Sequence, residues 1–206
     1  DLKPETSLNT DLGARYVTRQ ASLEAFTFRN TIYDGIRIAP LGTKVNGMDA
    51  YQNVNVDKLL FRGVELSGEV LLGLGFSASG SYTWQDAENS NDKEIPVGET
   101  FNSKVTGIVR YTRPGDRFWT AFEVRHNGVQ KNVLLENNPL GDFIPSFTVL
   151  NLRGGVTILR TEGGQTHRLA MAVTNLTNQL YAEFSNASFF RPEPKRNLTL
   201  TWEVSF

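Results

Sequence analysis

The sequence predicts an all-β protein, an antiparallel transmembrane β-barrel segment of about nine strands. Three observations carry that prediction. Apolar side chains recur at every second residue, not at the helical spacing of three to four. Connections alternate between short and long. Aromatic residues gather at the ends of the apolar faces. No apolar run approaches the ~20 residues of a membrane-spanning helix. Mean hydropathy is negative, which suits a barrel, because a barrel shows lipid only every second residue.

The elements follow in chain order. In residues 8–16, Leu8, Leu12 and Tyr16 share a face, opposite Asn9, Asp11 and Arg15. Side chains on a strand point alternately to two sides, so one face is apolar and the other polar. Residues 21–33 read as a strand whose faces stay open. Leu23 and Ala25 go with Thr27 and Arg29, whereas Phe26 and Phe28 go with Glu24 and Asn30. Next, Val64, Leu66 and Val70 oppose Glu65, Ser67 and Glu69. In residues 76–85, Phe76, Ala78, Tyr82 and Trp84 alternate with Ser77, Ser79, Ser81 and Thr83. Val105, Val109 and Tyr111 oppose Lys104, Thr106 and Arg110, with Ile108 out of pattern. Phe118, Phe122 and Val124 oppose Glu123 and Arg125. Leu150, Leu152 and Val156 oppose Asn151, Arg153 and Thr157. Leu169, Met171 and Val173 oppose Arg168, Ala170 and Ala172. Last, Leu198, Leu200, Trp202, Val204 and Phe206 oppose Asn197, Thr199, Thr201, Glu203 and Ser205.

All eight prolines fall outside these predicted strands, as a ladder that uses every N–H requires. The connections 18–20, 72–74, 113–116 and 160–165 are short; 39–56, 87–100, 127–146 and 175–195 are long. Short turns on one rim and long loops on the other mark a membrane barrel. Tyr16, Phe76, Tyr111, Phe118, Trp202 and Phe206 lie toward the short-turn rim and Trp84 toward the other, as interfacial girdles do. A soluble sandwich or lipocalin-like barrel also alternates, but it hides its large apolar side chains and exposes its charges. Here the polar faces are rich in Ser, Thr, Asn and Gly.

Composition removes several chemistries. A net charge of −1 supplies no field for nucleic acid. The absence of cysteine removes disulfides, zinc-thiolate sites and thiol nucleophiles. The two histidines, His126 and His167, sit at opposite rims and share no metal. Glu88, Asp92, Glu94 and Glu99 lack the ordered spacing of a calcium loop and read as a solvated acidic connection. No catalytic, cofactor or metal set is expected. Arg62, Arg110, Arg125 and Arg153 are assigned to polar faces, where guanidinium groups suit anionic ligands. Most are expected to pair with Glu65, Glu69 or Glu123. Arg125, near the long-loop mouth, is kept as a ligand contact. His126 beside it reads as a solvated rim histidine or a reach toward haem iron. Phe189, Phe190 and Arg191 lie in the last long connection, where exposed aromatics grip ligands. The candidate ligand-binding set is therefore Arg125, His126, Phe189, Phe190 and Arg191.

Four segments carry a family resemblance. Asn175-Leu176-Thr177-Asn178, followed by Tyr181, resembles the penultimate-strand exit of TonB-dependent receptors. Residues 196–206, ending on Phe206, resemble their closing strand. Leu2-Lys3-Pro4-Glu5 leading to Leu12-Gly13 resembles the lead-in to a mid-barrel strand, and Arg62-Gly63-Val64-Glu65-Leu66 resembles a later one. Each motif alone is weak, but their order along essentially the whole chain is specific.

The resemblance implies the outer membrane of a Gram-negative-type bacterium and a barrel of about 22 strands around a plug. Residues 1–206 would be its last nine strands, with the plug and TonB-contact segment elsewhere. Nine strands leave two open edges, and each unpaired amide costs several kcal/mol in lipid. The implied function is a receptor, not an enzyme. A scarce ligand, foremost a ferric siderophore, binds at the outer mouth, and TonB pulls on the plug to open a path. Cobalamin, haem and oligosaccharides stay open. Implied partners are the TonB complex, outer-membrane lipid and the barrel-assembly machinery, whose signal Leu200, Trp202 and Phe206 match. Two other functions remain in view. A protease- or lipase-type barrel needs a triad converging near His126. A passive porin needs a closed barrel with no plug.

Overall fold

The computed structural model describes residues 1–90, 101–115, 117–131, 143–183 and 192–206, with the Asp57 side chain excepted. Among the described residues, nine strands form one antiparallel sheet in chain order. They are β1 (Thr6–Val17), β2 (Ala21–Val45), β3 (Met48–Gly73), β4 (Phe76–Asn89), β5 (Ser103–Thr112), β6 (Phe118–Asn127), β7 (Phe147–Arg160), β8 (Thr166–Thr174) and β9 (Asn197–Ser205). Each strand pairs with the next, as an up-and-down meander requires.

Register settles the faces, because directly opposed residues point to the same side. One thread runs Leu12, Thr27, Val64, Trp84 across β1 to β4. Another runs Val109, Phe122, Leu152, Val173, Leu198 across β5 to β9. The open question at β2 is thereby answered. Leu23, Ala25, Thr27 and Arg29 belong to the apolar face, and Phe26 and Phe28 turn to the polar one. The reason lies in the neighbouring strands. Phe26 opposes Gly13 and Phe28 opposes Gly63. Each ring fills the space a missing side chain leaves, and a Cβ on Gly63 would stand 2.5 Å from Phe28 Cζ.

Among the described residues, no second layer covers the apolar face. Leu12 is 72% exposed and Trp202 68%. A sandwich would bury this face between its own sheets; an apolar face this broad needs lipid or a partner. Aromatics line its short-turn margin. Phe76 and Tyr111 lie 4.7 Å apart, Tyr111 and Phe118 6.4 Å, and Trp202 stacks on His167 at 5.8 Å.

The structure corrects three expectations. Residues 39–56 are not an irregular loop. β2 and β3 continue as a hairpin to a turn at Asn46-Gly47, both with positive φ (53° and 82°). That dipeptide is the strongest short hairpin signal. Second, Pro40 lies inside β2, next to a register shift between Pro40 and Lys44. It is tolerated because β1 reaches only to Tyr33, so β2 has a free edge there. Third, Arg62 is not on the polar face. It shares the even positions of Val64 and Leu66 and pairs with Asp86 at 2.8 Å, one row beyond Trp84.

The polar face pairs its charges. Arg15–Glu24 (2.7 Å), Arg153–Glu123 (2.9 Å) and Arg168–Glu203 (3.8 Å) bridge strands. Arg110 stacks 4.6 Å over Trp119. The buried apolar cluster sits at the long-loop end: Phe101, Ile144, Phe147 and Val149, with Tyr181 against it.

Candidate ligand-facing mouth

The mouth is built where β6, β7 and the chain after β8 converge on the polar face. Asn175 starts the convergence. It ends β8 in a left-handed conformation (φ 52°), a state asparagine tolerates better than most residues. Its N–H donates to Asn151 Oδ1 at 2.9 Å. Its Nδ2 donates to the Gln179 and Pro194 carbonyls at 2.8 and 3.1 Å. Its Oδ1 accepts from Gln179 N at 2.7 Å. Asn178, also left-handed, accepts from Arg196 N at 3.1 Å. The motif is thus a knot tying the end of β8 to the approach of β9.

The knot delivers Tyr181 to the cluster. Its ring lies 4.5 Å from Phe147, which meets Phe101 edge-on at 5.5 Å. Arg125, inward-facing on β6, reaches the same place. It donates to Tyr181 Oη at 3.2 Å, lies 5.8 Å over that ring, and pairs with Glu183 at 2.5 Å. Both ion-pair partners are about one third exposed, so the pair is worth about 1 kcal/mol or less. Its value is positional: it fixes where the chain leaving β8 crosses the mouth. Gln130, bridged to Ile144 of the buried cluster, is 1% exposed, and neither end of its side chain finds a hydrogen-bond partner among the described residues.

Burial raises the Tyr181 phenol above its ordinary value, and Arg125 opposes that shift. A raised folded value means the neutral phenol's contribution is whole below pH 10 and is lost as pH climbs through the raised value. Arg125→Gln removes the lowering influence. Tyr181 is therefore expected to ionise at higher pH in that variant, read as phenolate absorbance after subtracting a Tyr181→Phe control. An unchanged or lower titration would contradict the contact.

The structure divides the sequence-derived candidates. Arg125 faces the mouth. His126, its neighbour, faces the opposite way: it sits with Val124 and Phe122 on the apolar side, its Nδ1 2.9 Å from Thr148 Oγ1. Adjacent strand residues cannot share a face, so His126 is removed from the inner set. Phe189, Phe190 and Arg191 lie outside the described residues, as do Asp92, Glu94 and Glu99. Leu200 and Trp202 lie on the open apolar face, and Phe206 is 92% exposed just past β9. Glu183 and Phe147 were missed. Neither carries a sequence signal, because their partners are far along the chain. Among the described residues, no cluster of metal-ligating side chains occurs.

Residues 2–5 also acquire a role. Lys3 N donates to Asn55 Oδ1 (2.8 Å), Asn55 Nδ2 donates back to Lys3 O (3.0 Å), and Glu5 Oε2 accepts from Ile36 N (3.0 Å). They clamp the base of the projecting β2–β3 hairpin to the wall.

Comparison with known proteins gives a consistent result. A family model described as TonB dependent receptor-like, beta-barrel matches residues 1–176. Hemoglobin-binding protein A of Haemophilus influenzae is 25% identical over 184 residues, covering 80% of this chain and 18% of that protein. Among solved structures, Copper transporter OprC superposes with a TM-score of 0.78 at 21% identity, over 98% of this chain and 31% of that one. A ferric enterobactin receptor from Pseudomonas aeruginosa, in complex with enterobactin, gives 0.74 at 21% identity with the same coverage. The ferric-catecholate import receptor Fiu from E. coli K12 gives 0.71 at 20%, over 98% and 28%. At these identities the solved structures speak to the fold alone, and this chain spans under a third of each. With the family model covering most of the chain and the sheet matching in fold, the chain belongs to the TonB-dependent receptor-like β-barrel family.

Proposed function

We propose that this chain is the C-terminal barrel wall and outer-loop region of an outer-membrane receptor for TonB-dependent, energised uptake of a ferric siderophore. The observation that carries the reading is the inward convergence of Arg125, Tyr181 and Glu183 at the long-loop rim. A cation and an aromatic ring held together there suit a ligand that is anionic and aromatic, as ferric catecholates are. Phe189, Phe190 and Arg191 belong to the same connection and are assigned as further contacts. The plug, the TonB contact and the remaining strands of a barrel of about 22 belong to the rest of the receptor. Leu200, Trp202 and Phe206 serve as the signal to the barrel-assembly machinery.

The named curated relative supports a second reading, a haem-protein ligand. Both histidines of this chain lie on the apolar face, His126 paired to the row of Val105 and Thr148 and His167 to that of Val204. Under this second reading, then, the segment contributes contacts with the protein and no inward-facing histidine to haem iron.

The test uses the full-length receptor. Arg125→Ala is expected to weaken binding of a ferric catecholate at least tenfold, read by intrinsic fluorescence quenching, and to slow growth on that iron source. Haemoglobin is run in parallel. Unchanged catecholate binding with weakened haemoglobin binding would transfer the assignment to the second reading. No loss with either would sink the mouth as a site.

A further inference from the structure

We propose that Arg29 and Arg62 bind the phosphate of a lipid headgroup in the outer leaflet. The two arginines are direct cross-strand partners on β2 and β3. Like charges directly opposite across a ladder are destabilising. This is the single like-charged opposed pair in the described registers; Arg15–Glu24, Lys44–Asp49 and Arg168–Glu203 all oppose opposite signs. Asp86 answers Arg62 with two hydrogen bonds, 3.2 and 2.8 Å. Arg29 is exposed and has no carboxylate partner among the described residues. The pair repels, and one member lacks a counter-anion among the described residues.

Position supplies the anion. Both arginines lie on the apolar face, so in a closed barrel they point out of the wall, not into the lumen. They sit one row beyond Leu12, Thr27, Val64 and Trp84, toward the long-loop rim. Trp84 marks the outer boundary of the apolar band, where headgroups begin. A guanidinium there meets lipid phosphates, whose oxygens match its fork. Thr10, opposed to Arg29 on β1, adds a hydroxyl in the same row. One step further out are Glu88, opposed to Leu60, and then Lys58, over the Tyr33 ring at 5.6 Å. With Asp86 and Glu88 set against Arg29, Arg62 and Lys58, the patch keeps a net positive charge. The occupant is a phosphorylated lipid.

The inference rests on the outer-membrane reading above, and the test separates the two. The full-length receptor is purified from the outer-membrane fraction in mild detergent and examined by native mass spectrometry. The probes are a phosphorylated acyl-disaccharide lipid, the same lipid after phosphatase treatment, and inorganic phosphate. Wild type is expected to retain the phosphorylated lipid at least tenfold better than its dephosphorylated form. Arg29→Gln is expected to lose that preference. Arg29→Glu is the sharper variant: the introduced carboxylate pairs with Arg62, so melting temperature holds or rises while lipid retention falls at least tenfold. Unchanged retention in a folded Arg29→Glu receptor overturns the site. So does equal retention of the two lipids, or inorganic phosphate binding as tightly as the lipid. A receptor absent from the outer-membrane fraction would overturn the location instead.

Discussion

Replacing Asn175 with alanine is expected to release the connection after β8 from the barrel wall. Asn175 is 2% exposed, and its side chain holds three backbone groups: the Gln179 N–H, the Gln179 carbonyl and the Pro194 carbonyl. Each buried group left unpaired costs about 1–3 kcal/mol where water cannot replace the bond. Alanine also tolerates the left-handed backbone less well, by about 1 kcal/mol. Allowing water to recover part of this, local opening becomes easier by about 3 kcal/mol, an exchange increase of about 100-fold. Amide exchange at Gln179 and Arg196 in the full-length receptor reads it directly. Asn175→Asp separates hydrogen bonding from size. It keeps the acceptor for Gln179 N but sets an oxygen against two carbonyls, so it should open nearly as far. Asn178→Ala loses only the bond from Arg196 N and should open less. Equal protection in Asn175→Ala and wild type would mean that the knot is incidental.

The consequence reaches the ligand-facing residues because Tyr181 and Glu183 follow within a few positions. Arg125 sits on a rigid strand, but its partners are only as fixed as the chain that carries them. Asn175 is therefore a positioning residue. Its loss should reduce ligand binding even though it meets no ligand.

How much of this was legible in the sequence depended on the range of each interaction. Strand identity and facing are local, since parity alone places Leu198, Leu200 and Trp202 on one side. Where parity was followed, the structure agrees. Arg62 was misplaced because its charge outweighed its even position beside Val64. The β2–β3 hairpin was missed because Pro40 and Gly42 read as loop punctuation, although Asn46-Gly47 carried the opposite message. The facing of β2 was undecidable from β2 itself, because Phe26 and Leu23 are both large and apolar. The deciding information sits on other strands, at Gly13 and Gly63. The mouth was least legible. Arg125 and Tyr181 are 56 residues apart, and nothing in either neighbourhood announces the other. The motif residue Asn175 was visible as part of a resemblance, but its hydrogen bonds were not.

The two glycine–phenylalanine pairs yield the second large effect, and they differ in a way one double-variant series resolves. The three atoms nearest a Cβ added to Gly13 all belong to the Phe26 ring. A Cβ added to Gly63 meets the Phe28 ring and also the Trp84 carbonyl oxygen, which belongs to the β4 backbone. A side chain can move out of the way, at a typical overpacking cost of about 1–3 kcal/mol. A ladder carbonyl moves only if the strand moves with it. Gly13→Ala is therefore expected to lower the yield of folded, heat-modifiable barrel severalfold, and adding Phe26→Ala should restore it. Gly63→Ala is expected to abolish assembly, and Phe28→Ala should not rescue it. Rescue at both sites would show that the rings and not the strand spacing set the need for glycine. The stakes are larger at Gly63 because β3 and β4 meet beside Trp84 at the outer girdle. A strand displaced there opens unpaired amides to lipid, where each costs several kcal/mol.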